Sequence, residues 1–494
     1  MLRLLISTLA LLLAFAAPGV AHAEWREAET AHFRIYSSGG EQQLRRFAER
    51  LETFDALLRR LASVPASVEP VKVRVFLLET EDQVRRAYRG SATSVSGFYT
   101  VNMEGPLAVS PRRTDGGDSI FGPEIVLFHE YAHHFMLQYF PVSYPAWYVE
   151  GFAEMASTAV PVSGGKMAFG KPASHRQYSL TASRWVPVSQ LLTQNYAQFP
   201  KDGDFYGQAW VLSHYLTFAP ARKGQIYRYL GALAAGRPQA DAAREIFGDV
   251  EALNRETRHY LDGRSFGYAP IEVPHPAPDS IRLRLLSPGE ASLIDEMAAF
   301  RDHIDKKERD SWLAAIRAKT ARYPADPRVL QFLADAEYAA EDYPAALATA
   351  DKWIALAPNS VHAMTRKATI LLEQADALEG AARTAKIALA RTLIVAANKI
   401  DPDDSKTLVA FYEAYRISGE RPPQVALDAL KQAVGTMPQA YRPRMLLATA
   451  LANQGKFDEA IFYLGPIAYD PHPSDGQQAA LNMIGQLRQA MAAK

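Results

Sequence analysis

The chain predicts an α+β domain, a mixed sheet with helices, followed by an all-α domain of helical repeats. Three observations carry this. The stretch Val71-Lys72-Val73-Arg74-Val75-Phe76-Leu77-Leu78 alternates and is rich in β-branched residues, the pattern of a half-buried strand. Helical periodicity surrounds it, so the sheet is interleaved with helices. Beyond residue 287, helix ends marked by proline recur at Tyr323-Pro324, Ala357-Pro358, Asp401-Pro402, Met437-Pro438 and Asp470-Pro471, steps close to the roughly 34-residue period of a helix-pair repeat. With 494 residues, 48% hydrophobic and 22% charged, the chain is long and apolar enough for two or more folded domains.

Lys plus Arg and Asp plus Glu both number 54. No global field therefore favours nucleic acid or an anionic membrane, and no nucleic-acid partner is expected. Cysteine is absent, which excludes disulfides and lipid attachment at a thiol. Residues 1–23 read as a signal peptide: Arg3 is the positive start, Leu4 to Ala17 the apolar core, and Ala21-His22-Ala23 the small-x-small cleavage site. The apolar run stops at Pro18-Gly19, too short to span a bilayer comfortably. The mature chain is expected to begin at Glu24, periplasmic or secreted, with no stable membrane anchor after cleavage.

Residues 24–268 are expected to form the first domain. Ala31-His32-Phe33-Arg34-Ile35-Tyr36 alternates as a strand and ends at Ser37-Ser38-Gly39-Gly40. Glu41 to Leu61 spaces Leu44, Phe47, Leu51, Phe54, Leu57, Leu58 and Leu61 three and four apart, which predicts an amphipathic helix. Phe98 to Val101 and Pro106 to Ser110 predict two more strands around a Gly105-Pro106 turn. Pro123 suits a helix start, since its missing donor is not needed there, and a helix over Glu124 to Tyr139 follows. Ala146 to Ala156 predicts the next, Phe205 to Leu216 another, and Arg222 to Tyr260 continues helical. Pro270, Pro274, Pro276 and Pro278 predict a Pro-rich linker over 269–286. Ser287-Pro288-Gly289-Glu290 is a capping-box start. Residues 287–494 then read as a degenerate helical lead-in, four helix-pair repeats with one lengthened by about ten residues, and a capping helix from Gly476 to Ala492. A plain helical bundle is the alternative.

His129-Glu130-Tyr131-Ala132-His133 falls on the predicted helix. Residues four apart share one face, so both imidazoles can reach one metal while Glu130 points beside it, the spacing of a zinc hydrolase. Glu130 then serves as general base.

Val126-Leu127-Phe128-His129-Glu130-Tyr131-Ala132-His133-His134-Phe135, with Glu150-Gly151-Phe152-Ala153 further on, resembles the gluzincin (peptidase MA) metallopeptidases, including the aminopeptidase N family. The resemblance implies a zincin-like α+β catalytic domain with Glu150 as third zinc ligand. His129, His133 and Glu150 then make up the three protein ligands of a catalytic zinc site with one open position. Phe205-Tyr206-Gly207 is similar to the helix start that carries the transition-state tyrosine in those enzymes, which makes Tyr206 a candidate donor to the oxyanion; a packed core aromatic is the other reading. Glu154, one turn beyond Glu150, either accepts a hydrogen bond from a ligand histidine or is a solvated surface carboxylate. His134 sits about 100° around the helix and reads as a packing or surface residue. His175 and His214 have no supporting spacing and read as structural. The aminopeptidase Gly-x-Met-Glu-Asn strand is not matched by Val101-Asn102-Met103-Glu104-Gly105. An endopeptidase that pairs an extended substrate with an upstream edge strand is the better expectation.

Leu333-Ala334 with Ala346, Leu447-Ala448 with Ala460, Tyr343-Pro344-Ala345-Ala346 and Phe457-Asp458-Glu459-Ala460 resemble the small-residue positions and second-helix starts of tetratricopeptide repeats. The expected protein is a zinc-dependent metallopeptidase acting on a protein or peptide substrate, with the repeats recruiting substrate or a partner protein. The alternative is a non-catalytic tetratricopeptide scaffold with an inactive or structural zinc domain. Intact Glu130 argues against it, since a structural zinc site needs no base.

Overall fold

The computed structural model describes residues 24–67, 69, 71–88, 95–102, 104–112, 122–194, 198–302, 304–469 and 475–493. The signal segment 1–23, Met103 and the Asp470-Pro471 repeat boundary lie outside them.

Six strands form the main sheet: β1 (Arg26–Glu29), β2 (Phe33–Ser37), β3 (Val73–Leu78), β4 (Phe98–Asn102), β5 (Gly105–Pro111) and, much later, β9 (Arg282–Leu285), in the order β4-β5-β3-β2-β1-β9. The sheet is mixed, with β2/β3 and β3/β5 parallel and the outer pairs antiparallel. The expected first strand is β2, and β1 precedes it as a hairpin partner.

The alternation of β3 is used on both faces. Val73, Val75 and Leu77 join a core with α1 (Glu41–Ala62) and α3 (Pro123–Tyr139), whereas Phe76 and Leu78 pack with Val84 of α2 (Glu81–Tyr88) and with Ile294 and Ala298. Phe54 of α1 stacks on Phe128 of α3 at 4.0 Å between ring centroids. Such a pair is worth about 0.5–1.5 kcal/mol beyond its buried area and fixes the rotation of α3 against α1.

After α4 (Ala146–Ser157), β6 (Val160–Val162) and β7 (Lys166–Phe169) begin a small antiparallel sheet. The short α5 (Gln177–Ala182) and α6 (Val188–Thr193) lead to α7 (Phe205–Phe218). The expected continuous helical run from Arg222 is divided into α8 (Gln225–Ala234), α9 (Gln239–Phe247) and α10 (Val250–Asp262). The breaks fall at Gly236 and Gly248, which take positive φ, and at Asp249, whose side chain caps α10.

The segment 269–286, expected as a linker, is instead woven into both sheets. β8 (Ala269–Glu272) pairs with β7, and β9 pairs with β1. Pro270 is tolerated because β8 is an edge strand, where a missing N–H breaks no essential ladder.

The Ser287–Glu290 capping box is present but opens only a short helix, α11 (Pro288–Ser292), followed by α12 (Ile294–Ala298). α13 (Lys306–Thr320) precedes four helix pairs: α14 (Pro327–Ala339) with α15 (Tyr343–Leu356), α16 (Val361–Asp376) with α17 (Gly380–Ile400), α18 (Ser405–Ser418) with α19 (Gln424–Thr436), and α20 (Tyr441–Asn453) with α21 (Phe457–Ala468). The second pair is the lengthened one, and α22 (Asp475–Ala492) closes the array. Ala334, Ala346, Ala448 and Ala460 are fully buried, where only a small side chain permits close helix approach.

The array folds back onto the sheet domain. Asn102 Nδ2 donates to the Phe300 carbonyl at 3.2 Å, and Gln138 Nε2 of α3 donates to the Thr436 carbonyl at 3.1 Å. No helix among the described residues is long and apolar enough to cross a membrane.

Candidate metal centre

Helix α3 turns Phe128, Tyr131 and Phe135 into the core, which leaves His129 and His133 facing α4. Their Nε2 atoms lie 3.0 Å apart. Glu150 Oε2 of α4 lies 3.3 Å from His129 Nε2 and 3.5 Å from His133 Nε2. Tetrahedral ligands about 2.05 Å from a zinc ion are separated by roughly 3.3 Å. The three donor atoms already stand at that spacing, and two imidazoles with one carboxylate form a chemically suitable set. His129, His133 and Glu150 are therefore the residues that fit a metal.

Glycine at 151 explains how Glu150 arrives there. A Cβ at this position would lie 2.4 Å from the Ala209 carbonyl oxygen and 2.1 Å from Ser213 Oγ, both on α7. Only glycine lets α4 and α7 cross so closely, and that crossing holds Glu150 against the histidines.

Glu154 lies on the buried side of α4, not on the surface. Its Oε1 is 3.3 Å from His129 Nδ1, its Oε2 is 2.7 Å from His175 Nε2, and Arg176 donates to it at 2.5 Å. Burial alone would raise this carboxyl, but hydrogen bonds from His129 and His175 and the Arg176 charge outweigh burial and hold it well below the ordinary range. Burial likewise opposes charge on His129, yet Glu150 and Glu154 raise that ring to about 10. A metal at the same nitrogen would displace the proton, which makes its binding pH-dependent.

Glu130 follows His129 on α3 and is half-buried. Tyr206 sits in the first turn of α7, which Asp204 caps by accepting from Gly207 N at 2.9 Å. Its ring centroid is 6.3 Å from that of His129, and the Arg176 guanidinium lies 4.9 Å above it. Tyr206 is half-buried at the edge of the neighbouring core, so it borders the cluster without being sunk in packing.

His134 is no ligand. It is buried and faces the repeats, with Nδ1 2.8 Å from Tyr99 Oη and 3.1 Å from Gln439 Nε2. Burial, with His32 and Arg59 nearby, pushes it down to about 3. His214 is a core residue bonded to the Gly170 carbonyl and to Tyr260 Oη. His175, read as structural, is instead a partner of Glu154, and so is Arg176. Neither carries a spacing signal, since both reach α4 through a 3-10 turn at Ser174–Arg176.

Two other clusters of metal-ligating residue types occur among the described residues: His32 with Glu52 and Asp55, and Glu104 with Asp335 and His362. In the first, His32 Nδ1 meets Glu52 Oε2 at 2.7 Å and Nε2 meets the Ser67 carbonyl at 2.7 Å. Both partners are acceptors, so both ring nitrogens carry hydrogen and no lone pair remains for a metal.

No family model matches the chain. No curated protein matches it either. Among solved structures, it is similar to a thermophilic TPR protein, TTC0263 of Thermus thermophilus, at 20% identity over 38% of this chain and 92% of that one, with a TM-score of 0.32. It is also similar to MamA, residues 41 to the end, from Desulfovibrio magneticus RS-1, at 17% identity over 38% and 87% of the two chains, with a TM-score of 0.24. The helical-repeat architecture is evident in the chain's own helix pairs without these likenesses.

Proposed function

We propose that the chain is a zinc-dependent peptidase, cleaving internal peptide bonds in the periplasm or outside the cell, whose helical repeats bind substrate or a partner protein. The convergence of His129 Nε2, His133 Nε2 and Glu150 Oε2 within 3.5 Å of one another supports this reading, with Glu130 next in sequence to the first ligand. The zincin-like assignment of the sheet domain belongs to the same proposal.

Zinc, when bound, supplies a Lewis acid that polarises a carbonyl and acidifies water. The chain's own groups do the rest. Glu130 takes the proton of the attacking water as its oxygen bonds to the scissile carbon, then delivers it to the amine nitrogen as the C–N bond breaks. Tyr206 donates its hydroxyl hydrogen to the developing oxyanion. Glu154 holds the His129 ring in place through Nδ1. β4 is one of the two edge strands of the main sheet, a position suited to pairing with an extended peptide.

A second reading is a protein-binding scaffold whose N-terminal domain is inactive or holds zinc for structure. The four helix pairs between Pro327 and Ala468 support it. The two separate on purified protein lacking residues 1–23. The peptidase reading expects about one zinc per chain, chelator-sensitive cleavage of an unfolded protein, and a Glu130→Gln variant that keeps zinc but loses cleavage. Full activity in Glu130→Gln overturns the mechanism. Zinc without hydrolysis across a broad peptide library favours the scaffold, and absence of zinc removes the metal centre.

A further inference from the structure

One side of α3 is gripped by the helical array. His134 and Gln138 are four apart and share a helix face, and that face meets the corner 437–440, which joins the third helix pair to the fourth. Gln138 Nε2 donates to the Thr436 carbonyl at 3.1 Å. This is one of the last carbonyls of α19, which have no partner inside their own helix. Gln439 Nε2 donates to the His134 carbonyl at 3.2 Å, and Tyr99 Oη of β4 donates to Gln439 Oε1 at 2.7 Å. With the single tyrosine hydrogen committed there, the 2.8 Å bond between Tyr99 Oη and His134 Nδ1 has the imidazole N–H as its donor. Three hydrogen bonds thus close a ring through β4, α3 and the array.

The corner is braced from behind. Arg444 of α20 is buried and donates from Nε to the Pro438 carbonyl and from Nη1 to the Tyr463 carbonyl at 2.9 Å, so one side chain ties the corner to α21. Helix α21 in turn meets the connection between α3 and α4: a Cβ at Gly465 would lie 2.8 Å from Ser143 Oγ. The fourth pair therefore touches α3 next to His133 and also the segment that leads to Glu150. Both helices that carry the candidate metal ligands are held from the array side. A module that only recruits substrate needs no such grip, whereas a metal site needs its ligands held to within about 0.5 Å.

We propose that the corner 437–440 is a clamp that sets α3 in its metal-binding position, with Gln439 as the positioning residue. The effect on zinc rests on the metal-centre reading above; the clamp on α3 does not. With the ring broken, α3 spends part of its time out of position against α4. Apparent zinc affinity then falls by the fraction of molecules that remain competent. Loss of one hydrogen bond corresponds to a fall of about two- to tenfold.

The test uses the mature chain, with hydrogen exchange over α3 measured on metal-free protein and zinc affinity measured by chelator competition. Gln439→Ala should speed exchange over α3 and weaken zinc binding about two- to tenfold. Tyr99→Phe, which opens the same ring from β4, should do likewise, and the double variant should be no worse than either single one. Ile387→Val, a comparable loss within the buried core of the second helix pair, should alter neither readout. Unchanged α3 exchange in Gln439→Ala overturns the clamp, and so does an equal change in Ile387→Val, since general loosening of the array would then explain it. Should Gln439→Ala not fold, Tyr99→Phe carries the same test. Because exchange is read without metal, it decides the clamp whether or not the chain binds zinc, and absence of zinc binding would count against the metal centre alone.

Discussion

His129 Nδ1 lies 3.3 Å from Glu154 Oε1, one turn along α4 from Glu150, which meets the same ring at Nε2. One helix thus carries both a candidate ligand and the carboxylate that orients the histidine opposite it, and Glu154 is in turn gripped by His175 and Arg176.

Glu154→Gln keeps the size of this side chain and removes its charge. Zinc affinity, measured by competition with a chromophoric chelator, should fall roughly 10- to 100-fold, the usual effect of losing the group behind a ligand histidine. An unchanged affinity would remove Glu154 from the site.

Tyr206→Phe separates the two readings of that residue. If the hydroxyl serves the oxyanion, kcat should drop about 10²- to 10³-fold with zinc content unchanged. If the ring only packs, kcat should stay near wild type, because the ring is retained.

Gly151→Ala should spread α4 from α7, since the new Cβ would fall 2.4 Å from the Ala209 carbonyl oxygen. Overpacking of this kind costs about 1–3 kcal/mol. A lower urea midpoint should be accompanied by weaker zinc binding, because Glu150 moves with the helix. A variant as stable and as zinc-loaded as wild type would contradict the close-crossing account.

His32 is a buried pH-sensitive group away from the candidate metal centre. Burial disfavours its charge, but Glu52 and Asp55 outweigh burial and raise its pKa. A raised folded pKa contributes stability fully present below the unfolded value, about 6.5, and lost as pH rises through the folded value. Wild type should therefore exceed His32→Gln in urea stability by most at pH below about 6.5, with the gap narrowing as pH rises. A gap that widens with pH would reverse the assignment.

Much of the candidate site was legible because it is local. The four-residue step from His129 to His133 becomes a shared helix face through helix geometry alone, and Glu150-Gly151-Phe152-Ala153 marked the next helix by its pattern. The four helix pairs were legible for the same reason, since prolines and small residues punctuate each one. The linker expectation failed because proline density records where chain breaks regular hydrogen bonding, and edge strands tolerate proline as readily as loops do.

By itself the sequence determined the histidine pair with Glu130 beside it, the helix pairs and the central strands, each encoded within a few residues by periodicity and turn chemistry. Only the tertiary structure decided that β8 and β9 return to the two sheets, that His175 and Arg176 stand behind Glu154, and that Glu104 meets Arg366 from 262 positions away. Such pairings depend on how whole elements pack, and no local pattern encodes which distant side chain a buried charge will find.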